Sequence, residues 1–175
     1  MVNVSIIVTC EEQQTQLRQL LPQLLSLQYV GDYEVIVVDK EHDKDLEEWL
    51  EEMEAQYSYL SHTFCPTSSR GIDLQKLALT LGAKSANYEW LVILPVGVNL
   101  EKGDWLKELT TRLDDKSDIL IGITDRKRRW NWFTSYIFRR RFSLFRPTSY
   151  IILCRRTSLL QNNAVKLSKH QIVKL

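Results

Sequence analysis

The chain has 175 residues, 44% hydrophobic and 26% charged, which suits one soluble globular domain with a sizeable core and excludes a disordered or fibrous chain. No apolar stretch reaches the roughly 18 residues that a membrane span needs. Net charge is +1 but divided: residues 125–175 hold 13 Lys or Arg against a single acid, Asp125, for a net of +12, while residues 1–124 net −11.

That asymmetry sets the basic end to face something anionic: phosphates, an acidic membrane surface, or the acidic first part of the chain itself. The three cysteines, Cys10, Cys65 and Cys154, are odd in number and lack metal-ligand spacing, which reads as buried thiols in a reducing, cytoplasmic setting.

The opening stretch MVNVSIIVTC has neither a basic n-region nor a small-residue cleavage site, so no signal peptide is expected there. Its NVSIIVTC part reads as a buried strand, β-branched and continuous. QQTQLRQLLPQLLSLQ follows with Leu17, Leu20, Leu21, Leu24 and Leu25 at helical spacing, and Pro22 inside it predicts a bend or a break. YEVIVVD is a second buried strand. DKDLEEWLEEMEAQY is an acidic amphipathic helix with Leu46, Trp49, Leu50 and Met53 on one face. YLSHTFC is a short third strand. IDLQKLALTLGAKSA is a helix with Asp73 near its start, and YEWLVILP is a fourth strand.

DWLKELTTRL then gives a helix and DILIGIT a fifth strand. Regular alternation stops at DRKRRWNWFTSYIFRRRFSLFRP, which mixes bases with aromatics. SYIILCRR is a sixth strand, and the remainder is a weak, polar ending, as in a piece of something longer. The β-α-β-α order argues for an α/β fold, a doubly wound, mostly parallel sheet with helices on both faces. The expected organisation is one domain, residues 1–175, with a nucleotide-binding half over 1–124 and a basic, incomplete acceptor-side half over 125–175.

The ordered set VSIIVTCEEQQTQLRQLLPQLLSLQ, YEVIVVD, LALTLGAKSANYEWLVIL and DWLKEL resembles the family 2 glycosyltransferases of the GT-A fold, most of all bacterial members that carry membrane segments after the catalytic domain. The resemblance implies a GT-A-like (Rossmann-like) sheet. It also implies a function related to moving a sugar from a nucleotide-diphosphate donor to an envelope glycan or lipid acceptor.

Carried residue by residue, the likeness is partial. Where the family's first strand ends in residues that shape the base pocket, this chain has Thr9, Cys10, Glu11 and Glu12. Where the second strand usually ends in two aspartates, Asp39 is followed by Lys40. The family's Asp-x-Asp metal motif falls on Pro95, Val96 and Gly97, whose side chains offer Mg²⁺ or Mn²⁺ no oxygen ligand. Glu101 and Asp104 lie a few residues further on. After Asp118 the only acid is Asp125, so no catalytic base is assigned, and neither is a cofactor. The resemblance therefore implies a nucleotide-sugar partner at Thr9, Cys10, Glu11, Asp39 and Lys76, with metal-dependent catalysis impaired. The alternative is a non-catalytic, membrane-associated pseudoenzyme that binds nucleotide or a partner.

Each of these positions has a plainer reading: Asp39 as a loop cap, Lys76 as a solvated helix residue, and Ser68–Gly71 as a turn rather than a phosphate cradle. RKRRWNWFTSYIFRRRF has two. As an interfacial helix, Arg128, Arg129, Trp130, Trp132, Phe133, Arg139, Arg140 and Arg141 would bind an anionic membrane at its cytoplasmic face. As a packing helix, its aromatics would cover the sheet and its arginines meet the acidic half. Bases and aromatics also interleave in single-strand binders, but this fold offers no groove lined with them, so no nucleic acid partner is expected.

Overall fold

The computed structural model describes residues 2–66, 73–98, 100, 103–113, 119–123, 150–160 and 170–174. Their elements run in the order β1 (Val4–Cys10), α1 (Gln14–Leu25), β2 (Tyr33–Asp39), α2 (Lys44–Gln56), β3 (Leu60–Phe64), α3 (Leu74–Ser85), β4 (Trp90–Pro95), α4 (Trp105–Thr111), β5 (Ile119–Ile123), β6 (Tyr150–Arg155), α5 (Arg156–Leu160) and β7 (His170–Lys174). They build one seven-stranded sheet in the order β3-β2-β1-β4-β6-β5-β7. Only β6 runs against the rest, antiparallel to both β4 and β5.

The strands are apolar on both faces because both faces are covered. Val4, Ile6, Val8 and Cys10 of β1 point with Val35, Val37, Val92 and Leu94 into one core with the leucines of α1, Leu46 and Leu50 of α2, and Trp105, Leu106 and Leu109 of α4. The alternate residues Ile7, Ile36, Val38 and Leu91 meet Ala78, Leu79 and Ala83 of α3 on the other face. Burying each large apolar side chain contributes about 1.5–3 kcal/mol. Gly82 lets α3 lie close: a Cβ there would come within 2.7 Å of Ile7 Cγ2 and 3.3 Å of Val38 Cγ2.

Sheet order positions the site. From β1 the chain steps outward to β2 and then β3 under α1 and α2. It then returns across the sheet to β4, with α3 on the opposite face. The order therefore switches direction between β1 and β4, and ligands of open α/β sheets bind outside the carboxyl ends of strands at such a point.

Two details sharpen the sequence expectation of a bend or break at Pro22 and of a weak, polar ending. Pro22 does not break α1, which continues to Leu25. The helix loses one internal hydrogen bond there, but Leu17, Leu20, Leu21, Leu24 and Leu25 are all buried on one side, and that packing outweighs the local defect. The polar ending contains a strand, β7, which pairs in parallel with β5. An edge strand held by backbone pairing on one side needs no continuous apolar run, so periodicity gave no signal for it.

Candidate functional site

Cys10 and Asp39 close β1 and β2 as register partners, and Thr9 stands opposite Pro95 of β4. This carboxyl edge gathers Thr9, Cys10, Glu11 and Asp39. Thr9 Oγ1 accepts a hydrogen bond from Gln75 Nε2 of α3 at 3.3 Å, across the switch point. The Cys10 side chain is buried in the core under α1, and burial pushes its thiol up to about 11. Its carbonyl accepts from the Lys40 N–H at 3.0 Å.

Asp39 is buried, and its two carboxylate oxygens accept the backbone N–H groups of Glu41 at 2.9 Å and Asp43 at 2.7 Å. It thereby folds the loop after β2 back on the strand end. Each oxygen keeps a second acceptor site, so loop cap and ligand acceptor are compatible roles. Beyond it, Lys40 Nζ pairs with the Glu11 carboxylate, and the Glu12 N–H donates to Glu41 Oε2 at 3.1 Å. His42 stacks on Phe64, ring centroids 3.7 Å apart and planes 2° from parallel, while its Nε2 lies 3.3 Å from Glu47 Oε2. Asp43 caps α2 through the Leu46 N–H at 3.0 Å, and that hydrogen bond is the first reason its carboxyl lies below the usual range.

Lys76 stands apart, on the exposed side of α3. Asp73 receives the N–H groups of Gln75 and Lys76 at 3.0 and 3.1 Å. A helix N-terminus favours an anion, and here a carboxylate from the chain already supplies it.

Among the described residues, Pro95–Val98 at the end of β4 offer a divalent metal no side-chain oxygen. Val96 and Val98 turn into the core, and the Val98 N–H closes a turn onto the Pro95 carbonyl at 3.1 Å. Asp104, exposed at the start of α4, has no side-chain capping bond. Among the described residues no group of three or more His, Cys, Asp or Glu could hold a metal. Ser68–Gly71, Glu101 and the whole basic-aromatic set Arg128, Arg129, Trp130, Trp132, Phe133, Arg139, Arg140 and Arg141 lie outside the described residues. Among the described residues no helix is long and apolar enough to cross a membrane.

Sequence reasoning missed the Glu11–Lys40 and Glu12–Glu41 pairings and the reach of Gln75. A signal existed: each paired residue of the two loops lies 29 positions from its mate, the offset of the β1–β2 register.

No protein-family model matches the chain, and no curated protein sequence matches it. Solved structures do. A mannosyltransferase from Pyrobaculum calidifontis, solved with GDP-Man and Mn²⁺, superposes with a TM-score of 0.58 at 21% identity over 70% of this chain and 35% of its own. TarS 1–349 from S. aureus gives 0.61 at 19% identity over 90% and 48%. The 4-diphosphocytidyl-2C-methyl-D-erythritol synthase of Anaerococcus prevotii gives 0.62 at 13% identity over 99% and 87%. This chain spans about a third to a half of the two glycosyltransferase-fold chains. The fold is thus GT-A-like: a glycosyltransferase-like domain in architecture, sharing its sheet also with the synthase.

Proposed function

We propose that this chain is a nucleotide-sugar-binding, glycosyltransferase-like domain in which metal-dependent sugar transfer is impaired. The observation that carries the reading is the β4 exit. The sheet has the strand order and the switch point of this fold, yet Pro95–Val98 fold into a turn with two valines in the core. A transferase of this kind uses a divalent ion to neutralise the departing diphosphate, and this turn presents no charged ligand for one.

The nucleotide would lie against Thr9, the backbone of Cys10, Glu11 and Asp39, while Lys76 stands apart from this edge. Two of the neighbouring structures, the mannosyltransferase and a second TarS 1–349 structure, carry GDP-Man and UDP-GlcNAc, which supports this ligand class. The basic-aromatic segment, residues 126–146, has eight Lys or Arg and no acid, and we assign it to an anionic membrane surface at the cytoplasmic face. Its flanks are anchored beside the crevice, since Ile123 and Tyr150 are register partners at the carboxyl edge of β5.

The test is an amide NMR titration of the full chain with UDP and GDP, with and without Mg²⁺. Shifts should cluster at Thr9–Glu12 and Asp39–Glu41 and be the same in both conditions. Metal-dependent micromolar binding, or shifts confined to residues 166–175, would overturn the reading.

A further inference from the structure

The loops that follow β1 and β2 are tied to each other twice. Lys40 Nζ of one loop pairs with the Glu11 carboxylate of the other, and Glu41 Oε2 accepts the Glu12 N–H at 3.1 Å. Among the described residues, the two that pass through the left-handed region without being glycine sit in these same loops, Glu12 at φ 50° and His42 at φ 56°. Each such residue costs on the order of 1 kcal/mol and persists only where its surroundings hold it.

Burial within the ion pair is uneven. The Lys40 side chain is 4% exposed, while that of Glu11 is 46% exposed. The ammonium is thus sunk at the end of the sheet and the carboxylate covers it from the solvent side. Lys40 directly follows the last residue of β2, so the pair lies at the carboxyl edge of the sheet.

We infer that the Glu11–Lys40 pair, seconded by the Glu12–Glu41 bond, is a latch that holds the β1–β2 side of the crevice closed and must part before a nucleoside diphosphate enters. The inference rests on the nucleotide reading above and adds regulation of that site. Removing the Glu11 charge leaves the ammonium desolvated and less well paired, a costly state. The flexible four-carbon stem of lysine lets it leave for water. The open form then gains population, and apparent affinity rises in proportion to the competent fraction.

The experiment uses the full chain and three proteins: wild type, Glu11→Gln, and the double variant Glu11→Lys with Lys40→Glu, which rebuilds the pair with its charges exchanged. UDP affinity is measured by calorimetry, and amide hydrogen exchange is followed at Glu12, Lys40 and Glu41 in the free proteins. Glu11→Gln should bind UDP about tenfold more tightly than wild type and exchange those amides about tenfold faster. The charge-exchanged variant should return toward wild type in both readouts. Wild-type binding that Glu11→Gln leaves unchanged or weakens would overturn the latch and leave the nucleotide reading standing. Failure of all three proteins to bind UDP or GDP at millimolar concentration would sink the nucleotide reading, and the latch with it.

Discussion

Ser5 and Glu34 face each other in the β1–β2 register, and the Ser5 hydroxyl donates to Glu34 Oε1 at 2.6 Å. Glu34 also accepts the Asn87 N–H and its Nδ2, both at 2.6 Å, while Ser5 Oγ accepts the Tyr88 N–H at 3.2 Å. This network sits at the end of the sheet opposite the crevice and fixes the entry of β4 against β1 and β2. A carboxylate suits it because every neighbour is a donor.

Replacing Glu34 by Gln should therefore destabilise the fold. One acceptor oxygen becomes an NH₂ that faces another donor, and leaving a buried polar group unmatched costs about 1–3 kcal/mol. Urea unfolding should show a lower midpoint with an unchanged m-value. A midpoint equal to that of wild type would show that the network contributes nothing.

Gly82→Ala sets two effects against each other. Alanine gains about 1 kcal/mol of helix propensity over glycine. The new methyl, however, would press on the buried Ile7 side chain at 2.7 Å, and overpacking a filled core costs about 1–3 kcal/mol. Net destabilisation of about 1 kcal/mol is expected by the same unfolding measurement, and a stabilised variant would show that α3 can shift outward freely.

The sheet was legible in the sequence because β1, β2 and β4 are apolar on both faces, a pattern that needs only the strand's own residues. The antiparallel placement of β6 and the existence of β7 were not, since both are fixed by pairing with distant strands. The site was legible in part. The position of Asp39 at a strand end could be read, but its bonds to Glu41 and Asp43 could not, and neither could the pairing of Glu11 with Lys40. Those contacts follow only once the 29-residue offset of β1 and β2 is known.

The free edge of β3 is guarded. The Val35 N–H bonds Tyr59 O, and the Cys65 N–H bonds Asp39 O, so odd-numbered residues of this strand face β2 and the His62 N–H faces away. That N–H is donated to the Glu54 carboxylate, whose Oε1 also lies 2.7 Å from His62 Nδ1. An open edge is a template for pairing with another chain. Glu54→Ala should therefore raise self-association, read as a concentration-dependent rise in mass by sedimentation or light scattering. A variant that stays at the wild-type mass at all concentrations would mean that the edge has other protection.

Alkaline pH should unfold the protein earlier than its carboxylates and lysines alone would dictate. Burial raises the Cys10 thiol from 9.0 to about 11 and the Cys154 thiol to about 12, and it pushes Cys65 up as well. Tyr33 is raised from 10.0 to about 12, chiefly by burial and then by Tyr59 beside it. In each case the folded state holds its proton to higher pH than the unfolded chain does. The stability these groups contribute is complete below about pH 9, where both states are protonated. It is lost as pH rises through 9 to 12, because only the unfolded chain ionises readily there. Each group steepens the fall by up to about 1.4 kcal/mol per pH unit within its window. Urea midpoints measured between pH 8 and 11 should stay level to about pH 9 and then drop. Cys154→Val should make the drop shallower, and a thiol reagent at pH 8 should label the cysteines only as the chain unfolds. Rapid labelling of the native protein, or a midpoint that stays level to pH 11, would mean that the thiols reach solvent and that their burial holds no stability in reserve.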